Sequence, residues 1–215
     1  MYVSLHLRYS IEIRRTASPN PYYPDRDVQP MTRHTTNNYL GLTHIMPRGL
    51  KQSSSVVSIG FSVSESAANT FTQGSVDLNL SPLDREVFVV LAVNLDPESP
   101  DAQGGQNSAT NCSLTTTSQT AVATLANSNC IAVANERIRG AGFVDSGVGF
   151  QTQSLETPPA TLEYIGIVAT NDFFVQVTGA NNLALKGVSG KLYGYRAVAD
   201  ASIYAALVQS EVLSA

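Results

Sequence analysis

Val3, Leu5, Leu7, Tyr9, Ile11 and Ile13 alternate without a break with Ser4, His6, Arg8, Ser10, Glu12 and Arg14. A period of two puts one set on each face of a β-strand, whereas a helix would scatter the apolar residues around its circumference. His6 belongs to the polar face, where a solvated strand residue is expected. The same pattern returns further along. Val57, Ile59, Phe61 and Val63 alternate with small or polar residues, as do Val76, Leu78 and Leu80. Residues 87–95 are apolar at nearly every position, which fits a strand buried on both faces.

More strands are expected at the Thr-rich stretch 114–124, where residues 120–126 alternatively suit a short helix, at 130–138 and at 143–151, the last weakened by Gly142, Gly147 and Gly149. Residues 162–168 and 173–177 flank Asn171-Asp172, whose side chains suit a tight turn between them. After the turn at 179–182 a last strand covers 185–198. Asp200 then precedes Ile203, Tyr204, Leu207, Val208 and Val212, which share one helical face, so a short C-terminal helix is expected.

Many short strands, few helical segments and no repeat of fixed period predict an all-β fold, an antiparallel β-sandwich of jelly-roll type. An immunoglobulin-like sandwich is the alternative, but the chain has no tryptophan and lacks the Cys–Trp–Cys arrangement. Residues 16–55 have no periodicity and are broken by Pro19, Pro21, Pro24, Pro30 and Pro47. A connection that long is unusual inside a compact domain. The chain therefore divides into a strand and extended arm, residues 1–55, and a sandwich domain with its helix, residues 56–215.

Charge follows this division. Residues 1–51 carry seven of the thirteen Lys and Arg against three acids, and the remainder carries six against fourteen. Arg14, Arg15, Arg26, Arg33, Arg48 and Lys51 lie in a proline-broken segment with Tyr22, Tyr23 and Tyr39. Such an arm can neutralise phosphates of a nucleic acid, or it can pair with acidic surfaces of neighbouring copies. Only 14% of residues are charged, against roughly 25% in ordinary soluble domains. Ser, Thr and Asn supply the polarity with 23, 18 and 14 residues. Uncharged polar surface costs less to dehydrate than ions, which suits packing against copies of itself or an extracellular setting.

Enzyme chemistry finds little support. There is no Gly-x-Ser-x-Gly elbow, the three histidines all lie in the first 44 residues, and the glycine clusters have neither the lysine nor the setting of a phosphate loop. No cofactor is called for. Asp96, Glu98 and Asp101 can offer three oxygens to calcium from one loop, although acidic loops are usually only solvated. Cys112 and Cys130 are the only cysteines; their spacing is no metal signature, and free thiols are favoured over a disulfide. Asn111-Cys112-Ser113 reads formally as a glycosylation acceptor. The N-terminus lacks the continuous apolar stretch of a secretory signal and no run is long enough to span a membrane, so a soluble chain is expected.

In its layout (strand-rich, about this size, with an irregular N-terminal arm, low charge and abundant Ser, Thr and Asn) the chain resembles the small jelly-roll coat proteins of icosahedral viruses. The resemblance implies a shell-forming virion subunit whose partners are copies of itself and other virion proteins, with an arm that faces the genome or links neighbours. Here the arm is weakly basic and begins with a well-formed strand, which favours interlocking over packaging. A binding module, carbohydrate-binding or adhesin-like, is the alternative. A sugar-binding sandwich would display an aromatic platform, yet Tyr193, Tyr195 and Tyr204 fall where the final strand and helix would bury them.

Overall fold

The structure, a computed structural model, describes residues 47–140, 150–153 and 162–213. The strand expected at 3–13, and with it Arg14, Arg15, Arg26 and Arg33, lies outside the described residues. Ten strands and one α-helix are described: β1 (Leu50–Gln52), β2 (Val57–Ser64), β3 (Thr72–Asp77), β4 (Glu86–Pro97), β5 (Ser108–Thr115), β6 (Cys130–Arg139), β7 (Phe150–Gln153), β8 (Gly166–Val168), β9 (Asp172–Ala180), β10 (Gly187–Ala199) and α1 (Ala201–Leu213). In the first sheet β10 pairs with both β1 and β2 and, on its other side, with β4, which pairs with β8. The second sheet has the order β3-β9-β5-β6-β7. Every pairing is antiparallel, and the two sheets face each other as a sandwich.

With β1 and β7 set aside, four of the six pairings are nested: β5 with β6, β4 with β8, β3 with β9 and β2 with β10; β4 with β10 and β5 with β9 join the levels within each sheet. A long hairpin folded across its own length has this pattern, because its two arms run antiparallel at every level.

The alternation visible in the sequence builds the core. Phe88, Val90, Val188 and Leu192 from the first sheet meet Cys112, Leu114, Phe173, Val175 and Val177 from the second. Phe61 and Phe173 touch across the two sheets edge to face, with ring centroids 5.6 Å apart. On β10, Gly190 pairs with Phe61, and Gly194, which pairs with Val90, lies against the Phe88 ring. A Cβ on Gly190 would strike the Asn94 carbonyl and the Phe61 ring, and one on Gly194 the Val89 carbonyl and the Phe88 ring.

Only half of β4 is buried on both faces. Val87 and Val89 are fully buried on the outer side beneath Ile203, Tyr204, Leu207 and Val208 of α1. Covering each is worth roughly 1.5–3 kcal/mol. Further along, Ala92, Asn94 and Asp96 are exposed on that face. The change follows a bulge at Leu91, where Tyr193 pairs with Ala92 but Gly194 pairs with Val90. Tyr195 is buried, whereas Tyr193 and Tyr204 are half-buried.

Four expectations about elements are corrected. Strand β3 ends at Asp77, and Leu78 and Leu80 are buried without belonging to a strand. Their N–H groups donate to the carbonyl and side-chain oxygens of Asn171. Residues 114–124 are not a strand: β5 stops at Thr115, and the following Thr and Gln side chains bond the backbone locally instead of leaving it to a ladder. Asn171-Asp172 does not turn a hairpin, because β8 and β9 belong to different sheets. Finally, Leu50–Gln52 form a strand within the stretch expected to be irregular. Gly49, at φ 79°, admits the Ile203 side chain there, and its carbonyl accepts from Asp200 N.

Candidate functional site

Glu65 follows Ile59, Phe61 and Val63, which pack on the core, at the next alternate position just past the end of β2, so a carboxylate enters the end of the core. It is 3% exposed. Its Oε1 accepts from Gly179 N at 2.5 Å, and its Oε2 accepts from Lys186 N at 2.9 Å and Asn69 N at 3.3 Å. One side chain thus ties the ends of β2 and β9 to the segment Asn182–Gly187 that leads into β10.

Other side chains bind the same segment. Asn182 N donates to Asn69 Oδ1, Leu183 N and Ala184 N donate to Asp101 Oδ2, and Gly187 N donates to Glu98 Oε2. With Lys186 N, five backbone N–H groups of this short loop reach side-chain oxygens. Lys186, itself buried, donates from Nζ to Asp101 Oδ1 at 2.7 Å. Asn182 returns two bonds, accepting from Asp101 N and donating to the Ala109 carbonyl. The Lys186 ammonium, then the Ala184 and Leu183 N–H groups, hold the Asp101 carboxyl below its ordinary value of 3.8. The clamp's share from Asp101 is therefore present above that value and is lost as the pH falls through the lowered pKa. What the clamp presents to solvent is apolar: Leu183 is 79% exposed and Leu185 50%.

This geometry accounts for two of the three acids proposed as calcium ligands. Asp101 and Glu98 bind backbone N–H groups, and Asp96 lies on β4 in register with Ser189. Among the described residues no group of three or more His, Cys, Asp and Glu side chains is placed to hold a metal ion. Of the six basic residues proposed for polyanion or inter-subunit contact, Arg48 and Lys51 are described, and both are exposed, one in a turn and one in β1. Cys112 is buried and Cys130 half-buried, and their Sγ atoms donate to the backbone carbonyls of Ala134 and Ala132. The register places Ala134 opposite Cys112 and Thr115 opposite Cys130.

A hollow of about 740 Å³ lies on the outer face of the second sheet. Its floor includes Asn111, Val133, Asn135 and Thr178, and its wall is residues 121–126. That wall is anchored by a buried polar network. Ser113 Oγ donates to Gln176 Oε1 and accepts from Ala123 N, while Gln176 Nε2 donates to Thr115 Oγ1 and Gln73 Oε1. Asn129 Nδ2 donates to Thr117 Oγ1 at 2.7 Å.

The third feature is Glu211 on α1. The apolar stripe was expected to continue at Val212, yet Val212 is 64% exposed and Glu211 is buried. Each oxygen of Glu211 accepts one backbone bond at 2.9 Å, from Ala169 N and Thr170 N. Burial pushes its carboxyl above the ordinary 4.5, against the opposing pull of the Ala169 and Thr170 donors. A raised pKa favours the folded state in acid, and the gain is lost as the pH rises through the folded value. Thermal melts of the Glu211→Gln variant are therefore expected to lose a component of stability that grows, in the wild type, as the pH drops from neutral toward 4.5. Parallel profiles for the two proteins would refute this.

Fold and clamp together define a two-sheet antiparallel sandwich, covered on part of its outside by one helix and tied at one end by the carboxylates of Glu65, Glu98 and Asp101, of which Glu65 is buried. Compared with known protein families, curated proteins and solved structures, the chain matches none. Among the described residues no helix is long and apolar enough to cross a membrane.

Proposed function

We propose that this chain is a structural virion protein, a subunit that assembles with copies of itself into a shell around a jelly-roll sandwich. The observation that carries the reading is the nested pairing of β2 with β10, β3 with β9, β4 with β8 and β5 with β6. A jelly roll is an eight-stranded double sheet of this kind. Low charge adds support, since faces rich in Ser, Thr and Asn can be buried between copies at modest cost. In this reading residues 1–46 form an arm that interlocks neighbours, and contact of its arginines with a genome is its second use.

Size-exclusion chromatography with light scattering, at several salt and calcium concentrations, tests it. Particles many times the 22.9 kDa chain mass are expected. A monomer under every condition would sink the proposal. Removing residues 1–46, which leaves β1 in place on β10, is expected to abolish assembly while the β-sheet circular dichroism persists.

The second reading, a sandwich binding module, draws on the hollow beside residues 121–126. Its lining contains no aromatic side chain, so it does not offer the stacking platform expected for a sugar.

A further inference from the structure

Among the described residues, β2 pairs with β10 on one side and with no strand on the other. Glu65, just past its end, donates its N–H to the Lys186 carbonyl. The odd-numbered residues of β2 therefore bond to β10, and the N–H and C=O groups of Ser58, Gly60 and Ser62 point away from the sheet. A row of such groups is a template for another strand, and proteins blunt it with charge, proline or a short edge. β2 runs for eight residues and contains neither a charge nor a proline. The other strands at sheet edges are shorter: β1 and β8 have three residues, β7 has four, and β3 has six and ends in Asp77.

A strand that fits this edge needs one apolar and one polar face. Ile59, Phe61 and Val63 pack on the core yet stay half-buried, whereas Ser58, Gly60 and Ser62 are exposed on the opposite face. A neighbour that continues both faces covers the three apolar side chains at the rim of the core. Its own polar residues then remain in solvent beside the serines.

One segment outside the described residues has that pattern. Val3, Leu5, Leu7, Tyr9, Ile11 and Ile13 alternate with polar residues, and the run contains no proline or glycine. Residues 141–149 are interrupted by Gly142, Gly147 and Gly149, residues 154–161 by Pro158 and Pro159, and residues 16–46 by four prolines. Thirty-six residues separate Ile13 from Leu50 at the start of β1. Fully extended they span roughly 120 Å at about 3.3 Å each, against a diameter of about 40 Å for a domain of this size. That length suffices to reach a neighbouring molecule.

We infer that residues 3–13 of a second copy of this chain add a strand to the free edge of β2, with their apolar face beside Ile59, Phe61 and Val63. Backbone hydrogen bonds supply the affinity of such a contact, and the alternation of the added strand fixes which face turns inward. Each copy gives one strand and receives another, so the contact repeats head to tail and closes where the rotation permits. It rests on the shell-subunit reading and names the surface that the arm grips.

Amide hydrogen exchange on the full chain, run beside light scattering, tests it. Leu5→Asp with Leu7→Asp spoils the apolar face of the donated strand. Gly60→Pro removes an outward N–H and leaves the β10 ladder in place, and Ser62→Lys is the milder edge variant should the proline disturb folding. In assembled wild-type protein the amides of Ser58, Gly60 and Ser62 are expected to exchange at least tenfold more slowly than in the donor variant. Donor and edge variants, each with wild-type circular dichroism, should associate at least tenfold more weakly by analytical ultracentrifugation. Their equimolar mixture keeps one good donor and one good edge per pair, so it should yield a complex of twice the chain mass and nothing larger. Assembly with these amides unprotected, wild-type assembly by the donor variant, or a mixture that stays monomeric would overturn the inference and leave the shell reading intact. Protected amides in a chain that stays monomeric would place the strand within one copy and overturn both, as would a chain that never assembles.

Discussion

Glu65→Ala is expected to destabilise the sandwich by roughly 3 kcal/mol. The substitution strands the N–H groups of Gly179 and Lys186, both on buried residues, and removes an acceptor from Asn69. A buried donor left without its partner costs about 1–3 kcal/mol, and alanine supplies no replacement atom. Glu65→Gln should fall between, because one oxygen remains while the amide nitrogen faces donors. Urea unfolding at neutral pH measures the loss, and an unchanged m-value would show that stability rather than compactness has changed. A loss below about 1 kcal/mol would mean that the clamp is tied mainly by Asp101 and Glu98. Faster amide exchange at Lys186 should accompany the loss.

Phe173→Ala is expected to cost about 3–5 kcal/mol, the range for removing a large aromatic side chain from a core. Phe173 is fully buried at the start of β9 and meets Phe61 of the opposite sheet edge to face. The Asn171-Asp172 connection enters the second sheet just ahead of it, so the surroundings have little freedom to collapse into the space. Phe61, only half-buried, should cost less when truncated. A double-mutant cycle on the pair should return about 0.5–1.5 kcal/mol of coupling, as aromatic pairs do. Additive effects would show that the two rings contribute by burial alone.

Much of the fold is legible in the chain, and the failures have identifiable causes. Alternation places β2 because one of its faces is buried, which is what period two records, and a continuous apolar run places β4, half of which is buried on both faces. It fails at residues 114–124, where Thr and Gln side chains satisfy the backbone locally and a β-prone composition makes a loop. It fails again at Asn171-Asp172, where turn chemistry is correct but its use differs. The same short turn that closes a hairpin here carries the chain from one sheet to the other.

The clamp was half visible. Glu65 occupies the next alternate position after Ile59, Phe61 and Val63, and Glu211 falls in the stripe of Ile203, Tyr204, Leu207 and Val208. An acid in a core register is the signal in both cases, since a carboxylate enters a core only where donors await it. Reading Asp96, Glu98 and Asp101 as one metal loop missed that clue, because proximity along the chain says nothing about which backbone N–H groups fold back upon them.

By itself the sequence determined most of the inward-facing positions, that the domain is built of β-strands in two layers, and that a short helix follows the last strand. These are local matters of period, turn and stripe. Only the tertiary structure decided that β2 pairs with β10 and β3 with β9, that Asp101 and Lys186 meet across more than eighty residues of chain, and that two leucines stand on a loop held from beneath. Those arrangements depend on long-range register, and a register between distant strands is chosen by the packing of the whole core rather than by any stretch of sequence within it.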